Sequence, residues 1–445
     1  MFTASSRHAP HAWRSPRRWA LAFALCAAAV DLNAHAQPSL TLDEALRLAQ
    51  DRSRQLPAQD SAAAAAREMA LAAGQLPDPT LKAGINNLPI NGADRFSLTR
   101  DFMTMRSVGL MQEFTRDEKR KARVGRFDRE AEVAEAGRTV ALANLRRDTA
   151  MAWLDRHFQE RMRELLQVQR AETELQIEAA EAAYRGGRGA QADVFAARSA
   201  VAQIDDRIHQ VELQIATART RLARWVGADA NQALAAPPGL AAVRLDAASL
   251  ETRLEHHPQI ALMVRQEAMA RAEVDIAQSN KKSDWSVELM VSQRGSAYSN
   301  MVSLNVSVPL QWDQRNRQDR EISAKLAMAE QIRAQREEAT REHVAETRGW
   351  LQQWQSNRDR LGQYDSSLIP LAHERTRASI AAYRGGGGML PAVLEARRME
   401  IDTRMERVRL EMETAGLWAQ LEYLIPVEHE ASVADRPAAP KEQQR

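Results

Sequence analysis

Ala182-Ala183-Tyr184-Arg185-Gly186-Gly187 recurs as Ala381-Ala382-Tyr383-Arg384-Gly385-Gly386. The register continues, with Gly189 matching Gly388, Val194 matching Val393, and Ala197-Arg198 matching Ala396-Arg397. Chance can give one such hexapeptide, but a sustained register argues for duplication, and a repeat governs the reading of the whole fold. Each half reads as helix, strand hairpin, very long helix, tight glycine turn and long returning helix. The first repeat covers 37–240, with a hairpin at 80–114 and long helices at 117–185 and 190–226. The second covers 241–426, with a hairpin at 284–310 and long helices at 313–384 and 389–425.

The long helices dominate. No proline interrupts the chain from Asp117 to Tyr184, where Leu154, Phe158, Met162, Leu165 and Val168 keep a helical stripe. The counterpart runs from Asp313 to Gly362 and on to Tyr383, with Pro370 as an expected kink. At about 1.5 Å per residue such a run reaches roughly 100 Å, and a rod of that length must pack sideways along its whole extent. Shorter helices open each half. Thr41 and Glu44 form a capping-box pattern ahead of Leu42, Ala45, Leu46 and Ala49. The second half opens near Asp246, with Leu250 and Leu254, and reaches His257-Pro258. His256-His257 is expected at an exposed turn.

Between the helices the period changes to two. Trp285, Val287, Leu289 and Val291 alternate with Ser286, Glu288, Met290 and Ser292. Val302, Leu304, Val306, Val308 and Leu310 alternate with Ser303, Asn305 and Ser307. The earlier hairpin is less regular, with Leu81, Ala83 and Ile85, then Val108, Leu110 and Phe114. One apolar and one polar face suit a half-buried sheet or a membrane barrel. Four strands cannot close a barrel, and an open edge in lipid costs several kcal/mol per unpaired backbone group. Insertion therefore requires oligomers. A dimer would supply eight strands and a trimer twelve, and counting strands does not choose between them.

Residues 1–36 read as an export signal: Arg14, Arg17 and Arg18 precede an apolar run from Trp19 to Val30, and Ala34-His35-Ala36 offers a small-x-small cleavage site. The sole cysteine, Cys26, lies within it after the bulky Leu25. It reads as a discarded apolar residue, the alternative being a lipidated N-terminus. Lys plus Arg number 61 against 59 Asp plus Glu, so no nucleic-acid surface is indicated. Removing the signal takes away four Arg and Asp31 and changes the formal charge from +2 to −1. The tail at 427–445 is polar and proline-bearing, and is expected to be disordered. Serine-hydrolase, P-loop and dinucleotide fingerprints are absent, so no enzyme is expected. No cofactor is called for, nor any metal site. Met103, Met105 and Met111 offer soft sulfur, but methionine is also ordinary packing material.

Leu40-Thr41-Leu42-Asp43-Glu44-Ala45, the two Tyr-Arg-Gly-Gly turns and the two-fold repeat together resemble the TolC family of outer-membrane factors, over nearly all of 37–426. Leu88-Pro89-Ile90-Asn91-Gly92 and the stretch Phe96 to Arg106 are similar to members serving heavy-metal pumps of the resistance-nodulation-division class. The resemblance implies a mainly α fold with a small β part. Long antiparallel helices would form a trimeric periplasmic α-barrel, and four strands per chain would contribute to a twelve-stranded outer-membrane β-barrel. It implies a homotrimer in outer-membrane lipid, working with a periplasmic membrane-fusion adaptor and an inner-membrane pump to vent heavy-metal cations passively.

For particular residues, the resemblance implies an adaptor-docking tip of Tyr184, Gly186, Gly187, Val194, Arg198, Tyr383, Gly385, Gly386, Val393 and Arg397. Relatives narrow the tunnel near this tip with acidic side chains, which points to Glu395, with Asp402 beyond it. A second acidic family position falls at Ala392 and a gate-locking basic position at Gly388, so the pattern departs there. Competing readings are a duct for a multidrug or type I secretion system, a periplasmic coiled-coil adaptor, and a soluble helical scaffold. An adaptor would need a lipoyl-like β domain, and a scaffold would need neither export signal nor amphipathic strands.

Overall fold

The computed structural model describes residues 39–244 and 257–425. The signal, the tail, His256 and the Asp246, Leu250 and Leu254 helix start lie outside them. Helix α1 spans Leu42–Arg52 and is capped by Thr41, whose Oγ1 accepts from the Glu44 N–H at 3.2 Å. Then come α2 (Gln55–Ala73), β1 (Thr80–Asn86), β2 (Met105–Phe114), α3 (Asp117–Arg185) and α4 (Gln191–Val226). The second half contributes α5 (Pro258–Ser279), β3 (Trp285–Gln293), β4 (Met301–Ser307), α6 (Gln318–Gln363), α7 (Ile369–Arg384) and α8 (Leu390–Glu422). Among the described residues no helix is long and apolar enough to cross a membrane.

With 69 residues, α3 extends roughly 100 Å and organises the rest. Its first part lies between α2 and α5, with Arg67 paired to Glu135 and Arg265 to Glu132. Its last part lies between α4 and α8, with Arg198 paired to Glu181 and Arg161 to Glu411. Beside the sheet the helix order is α2-α3-α5-α6, and the four-stranded antiparallel sheet has the order β1-β2-β3-β4. Each strand thus continues the line of its own helix. The stripe on α3 is sealed at Leu154, Phe158 and Met162 as the spacing predicts. Beyond them Leu166 is buried rather than Leu165, and Val168 is exposed, because the buried face continues through Gln169, Thr173 and Gln176.

The core sits midway along the helices. Trp153, Phe158, Leu222, Trp418 and Leu421 cluster there with Leu40. Leu40 pairs in parallel with Leu234, and its carbonyl accepts from the Trp153 indole at 3.1 Å. Buried Arg156 donates to the carbonyls of Ala230 at 2.7 Å and Gln232 at 2.8 Å, tying the end of the first repeat to α3.

Three local expectations need correction. Helix α6 begins at Gln318, not Asp313, because Asp313 to Arg317 form turns in which Asn316 bonds the Asp313 carboxylate. The rod to Tyr383 is not one helix: a wide π-type turn, Tyr364–Leu368, separates α6 from α7 just before Pro370. Proline lacks the N–H that would close the preceding turn, and a π turn accommodates that loss. His257 is not at an exposed turn but only 8 % exposed. Its Nδ1 accepts the Gln259 N–H at 3.2 Å as the cap of α5, and its ring stacks on His343 with centroids 4.8 Å apart. Burial, with the His343 charge nearby, lowers its pKa to about 4.

Candidate functional site: an inverted sheet and a glycine tip

The sheet turns its apolar side outward. In-register pairing aligns Leu81, Leu110, Leu289 and Leu304 across all four strands, and Ala83, Val108, Val291 and Val302 in the next row. All four leucines, and the three valines of the next row, are exposed. Nearer the helices Phe114 stacks on Trp285, centroids 4.4 Å apart, on the same face. The opposite face carries the polar residues: Lys82 pairs with Glu288 at 3.2 Å, and buried Ser107 and Ser292 share a 3.0 Å hydrogen bond. Among the described residues nothing pairs with the outer edges of β1 and β4. A water-soluble sheet hides its apolar face; this one presents it while burying serines.

The tip at the other end repeats itself down to the hydrogen bond. Gly187 N–H donates to Tyr184 O at 3.0 Å and Arg188 N–H to Ala183 O at 2.9 Å, which is a Schellman closure. In the second repeat Gly386 donates to Tyr383 O and Gly387 to Ala382 O, each at 3.1 Å. Gly187 and Gly386 have φ of +69° and +79°, a conformation that disfavours a Cβ. Gly388 is needed for another reason: a Cβ there would stand 2.9 Å from Tyr383 N.

The structure gathers the tip residues but sorts them by exposure. Val194 is 8 % exposed and Val393 is fully buried, packed with Ala180, Ala197 and Leu390. They pack the two helical hairpins against each other within the chain, and little of either side chain is left at the surface. Exposed apolar surface at the tip comes instead from Tyr184, Phe195 (59 %) and Met389 (75 %). Arg198 is exposed and bonds Glu181 at 2.8 Å, whereas Arg397 is mostly covered and bonds Glu172 at 2.5 Å.

Glu395 and Asp402 lie exposed on α8, along the groove between α4 and α8. Glu395 bonds Arg398 at 2.8 Å, and that hydrogen bond, with the Arg398 charge, lowers its pKa. Asp402 bonds Arg207 of α4 at 2.6 Å, a link between the two hairpins. Sequence reasoning missed Glu400, whose side chain is 1 % exposed. Its Oε1 lies 3.1 Å from His373 Nδ1 and accepts from Arg404 at 2.8 Å, while Arg397 stands 3.6 Å from Oε2. Burial raises its pKa, but the Thr376 hydroxyl, the His373 ring and the charges of Arg404 and Arg397 outweigh that and lower it overall. A charged residue in a gap of the apolar pattern was the only available signal. The three methionines do not converge. Met103 is in the β1–β2 loop, while Met105 and Met111 share the inward face of β2, about 20 Å apart by strand rise.

Solved structures share this architecture. The outer-membrane channel OprN superposes with a TM-score of 0.72 at 17 % identity, covering 86 % of this chain and 89 % of that one. The outer membrane protein VceC of Vibrio cholerae gives 0.71 at 17 % identity, covering 86 % and 95 %. The CmeC outer membrane channel of Campylobacter jejuni gives 0.71 at 12 % identity, covering 88 % of each. No family model matches the chain, and no curated protein shows significant sequence similarity to it. At these identities the likeness establishes the fold, which is that of outer-membrane channels.

Proposed function

We propose that the chain is the outer-membrane duct of a tripartite efflux system driven by a pump of the resistance-nodulation-division class. The observation that carries this is the sheet, whose exposed face carries aligned rows of Leu and Val and whose two edges are open in one chain. Lipid solvates such a face, and pairing β4 of one copy with β1 of the next satisfies the edges. Three copies give twelve strands, and the four helix lines of each chain continue them into a periplasmic tunnel. Residues 1–36 direct export. The fold common to OprN, VceC and CmeC supports the same reading.

Conduction is passive, with no catalytic step and no cofactor. The tip around Tyr184 and Tyr383 receives a periplasmic adaptor. Glu395 and Asp402, repeated three-fold, would make acidic rings that favour cations. The Asp402–Arg207 pair, which spans α4 and α8, must rearrange as the tip widens, whereas the Glu395–Arg398 pair lies within one turn of α8 and can stay. The cargo proposed is heavy-metal cations. Native mass spectrometry in detergent should give three chains, and reconstituted protein should conduct; a folded monomer that fails to insert refutes the duct. Deletion should sensitise cells to zinc, cobalt or copper. Sensitivity to drugs alone would keep the duct and replace its cargo, as in a multidrug system.

A further inference from the structure

The apolar face of the sheet has a marked end. The row Ile85, Arg106, Gln293 closes it on the side of the β1–β2 and β3–β4 loops, and the row Phe114, Trp285 closes it on the side of the helices. Arg106 lies on the same face of β2 as Val108 and Leu110 and is exposed like them. From Trp285 to Gln293 is about 27 Å along the strand. At the tilt of outer-membrane strands this stands about 20 Å tall, close to the apolar band such barrels present. Arg106 therefore sits where hydrocarbon gives way to headgroups. At the midplane an arginine costs about 2–4 kcal/mol, but at this border the cost nearly vanishes.

Among the described residues no carboxylate pairs with Arg106, and the nearby Lys82–Glu288 pair belongs to the opposite face of the sheet. The adjoining β1–β2 loop has the composition of a membrane border. Ile90, Phe96 and Phe102 are exposed, and the Arg95 guanidinium lies 4.7 Å over the Phe96 ring. A planar guanidinium bonds phosphate through two parallel N–H donors, which a carbonyl ester cannot match.

We propose that Arg106 binds the phosphate of a lipid headgroup at the outer rim of the barrel, one site per chain, and so fixes the depth of the sheet in the bilayer. The proposal rests on the reading of the sheet as membrane-inserted. The test uses full-length protein in nanodiscs of phosphatidylglycerol or of phosphatidylcholine, with lipids retained on mild delipidation counted by native mass spectrometry. Arg106→Gln should lower retained phosphatidylglycerol by about five-fold per site, the size of one arginine at an anionic surface, and Arg106→Lys should recover much of it. Phosphatidylcholine carries the same phosphodiester with its charge neutralised by choline, so it should be retained more weakly and fall less, in the same direction, with Arg106→Gln. Inorganic phosphate should not displace the bound lipid. Equal retention by wild type and Arg106→Gln overturns the proposal while leaving the duct standing. Protein that never enters the nanodiscs overturns the membrane reading and the site together.

Discussion

Glu400 of α8 occupies the place that Val201 holds in α4, each three residues beyond the matched arginines Arg397 and Arg198. Both side chains are buried. The two helical hairpins thus share one backbone plan but differ in the core beneath it. The first has a buried valine at this place, the second a carboxylate held among His373, Arg397 and Arg404.

This difference predicts unequal stability of the two hairpins. Replacing the carboxylate leaves Arg397 its Glu172 partner and Arg404 and His373 access to solvent, so the cost is that of a weakened buried polar contact, about 1–3 kcal/mol. Glu400→Gln should speed hydrogen exchange in α7 and α8 while leaving α3 unchanged. Because the folded pKa of Glu400 is lowered, its contribution is complete above the ordinary value of 4.5 and is lost as pH falls through the depressed value. Wild-type exchange in α7 should therefore rise selectively in acid. Unchanged exchange in the variant would show that the cluster holds nothing.

His257 gives a second acid response at milder pH. With its pKa lowered from 6.5 to about 4, the folded chain resists a proton that the unfolded chain accepts. Stability should fall by about 3 kcal/mol between those values and level off below them. His257→Asn keeps an acceptor for the Gln259 N–H and should flatten that part of the profile. Thermal melts from pH 7 to 4 decide it, and a variant as acid-sensitive as wild type would place the response elsewhere.

The sequence made the repeat, the long rods and the alternating strands legible because each is a periodic pattern of residue types. It could not show which strand faces pair across the repeat, since the Leu81–Leu110–Leu289–Leu304 row depends on register between β2 and β3. The tip turns were legible because positive φ and close approach select glycine, as at Gly187, Gly386 and Gly388. The side chains beside them were not. Val194 and Val393 match in register, and so do exposed docking residues and buried core residues; repetition alone does not reveal which way a side chain points. Glu400 was hidden because Arg397 and Arg404 beside it on α8 look like ordinary helix-surface pairs, and its burial depends on how α7, with His373, packs against that face.

The faces of the sheet predict opposite outcomes for one substitution. Leu289→Arg places a cation in the middle of the exposed apolar rows and should cost about 2–4 kcal/mol in membrane insertion. Ser303→Arg lies on the polar face and should insert normally. Folding into detergent micelles and outer-membrane fractionation measure both. Equal tolerance would mean that the Leu rows do not meet lipid.

The last prediction separates core from contact surface at the tip. Val393 is fully buried against Leu390 and Ala180, so Val393→Asp would bury an unpaired carboxylate, at several kcal/mol unless the hairpins part. That variant should loosen the tip backbone and speed tryptic cleavage after the exposed Arg384. Phe195 and Met389 are exposed and leave no cavity when replaced. Phe195→Asp with Met389→Asp should therefore melt and trimerise like wild type. If these two side chains are what the adaptor meets, the pair should still lose crosslinking to it, because each charge would have to be desolvated in the contact. Retained crosslinking would move docking to the charged rim, at Arg185, Arg188 and Arg384. A tip stable in Val393→Asp would mean that the two hairpins come apart without cost, and that the cluster around Val194 and Val393 is not what joins them.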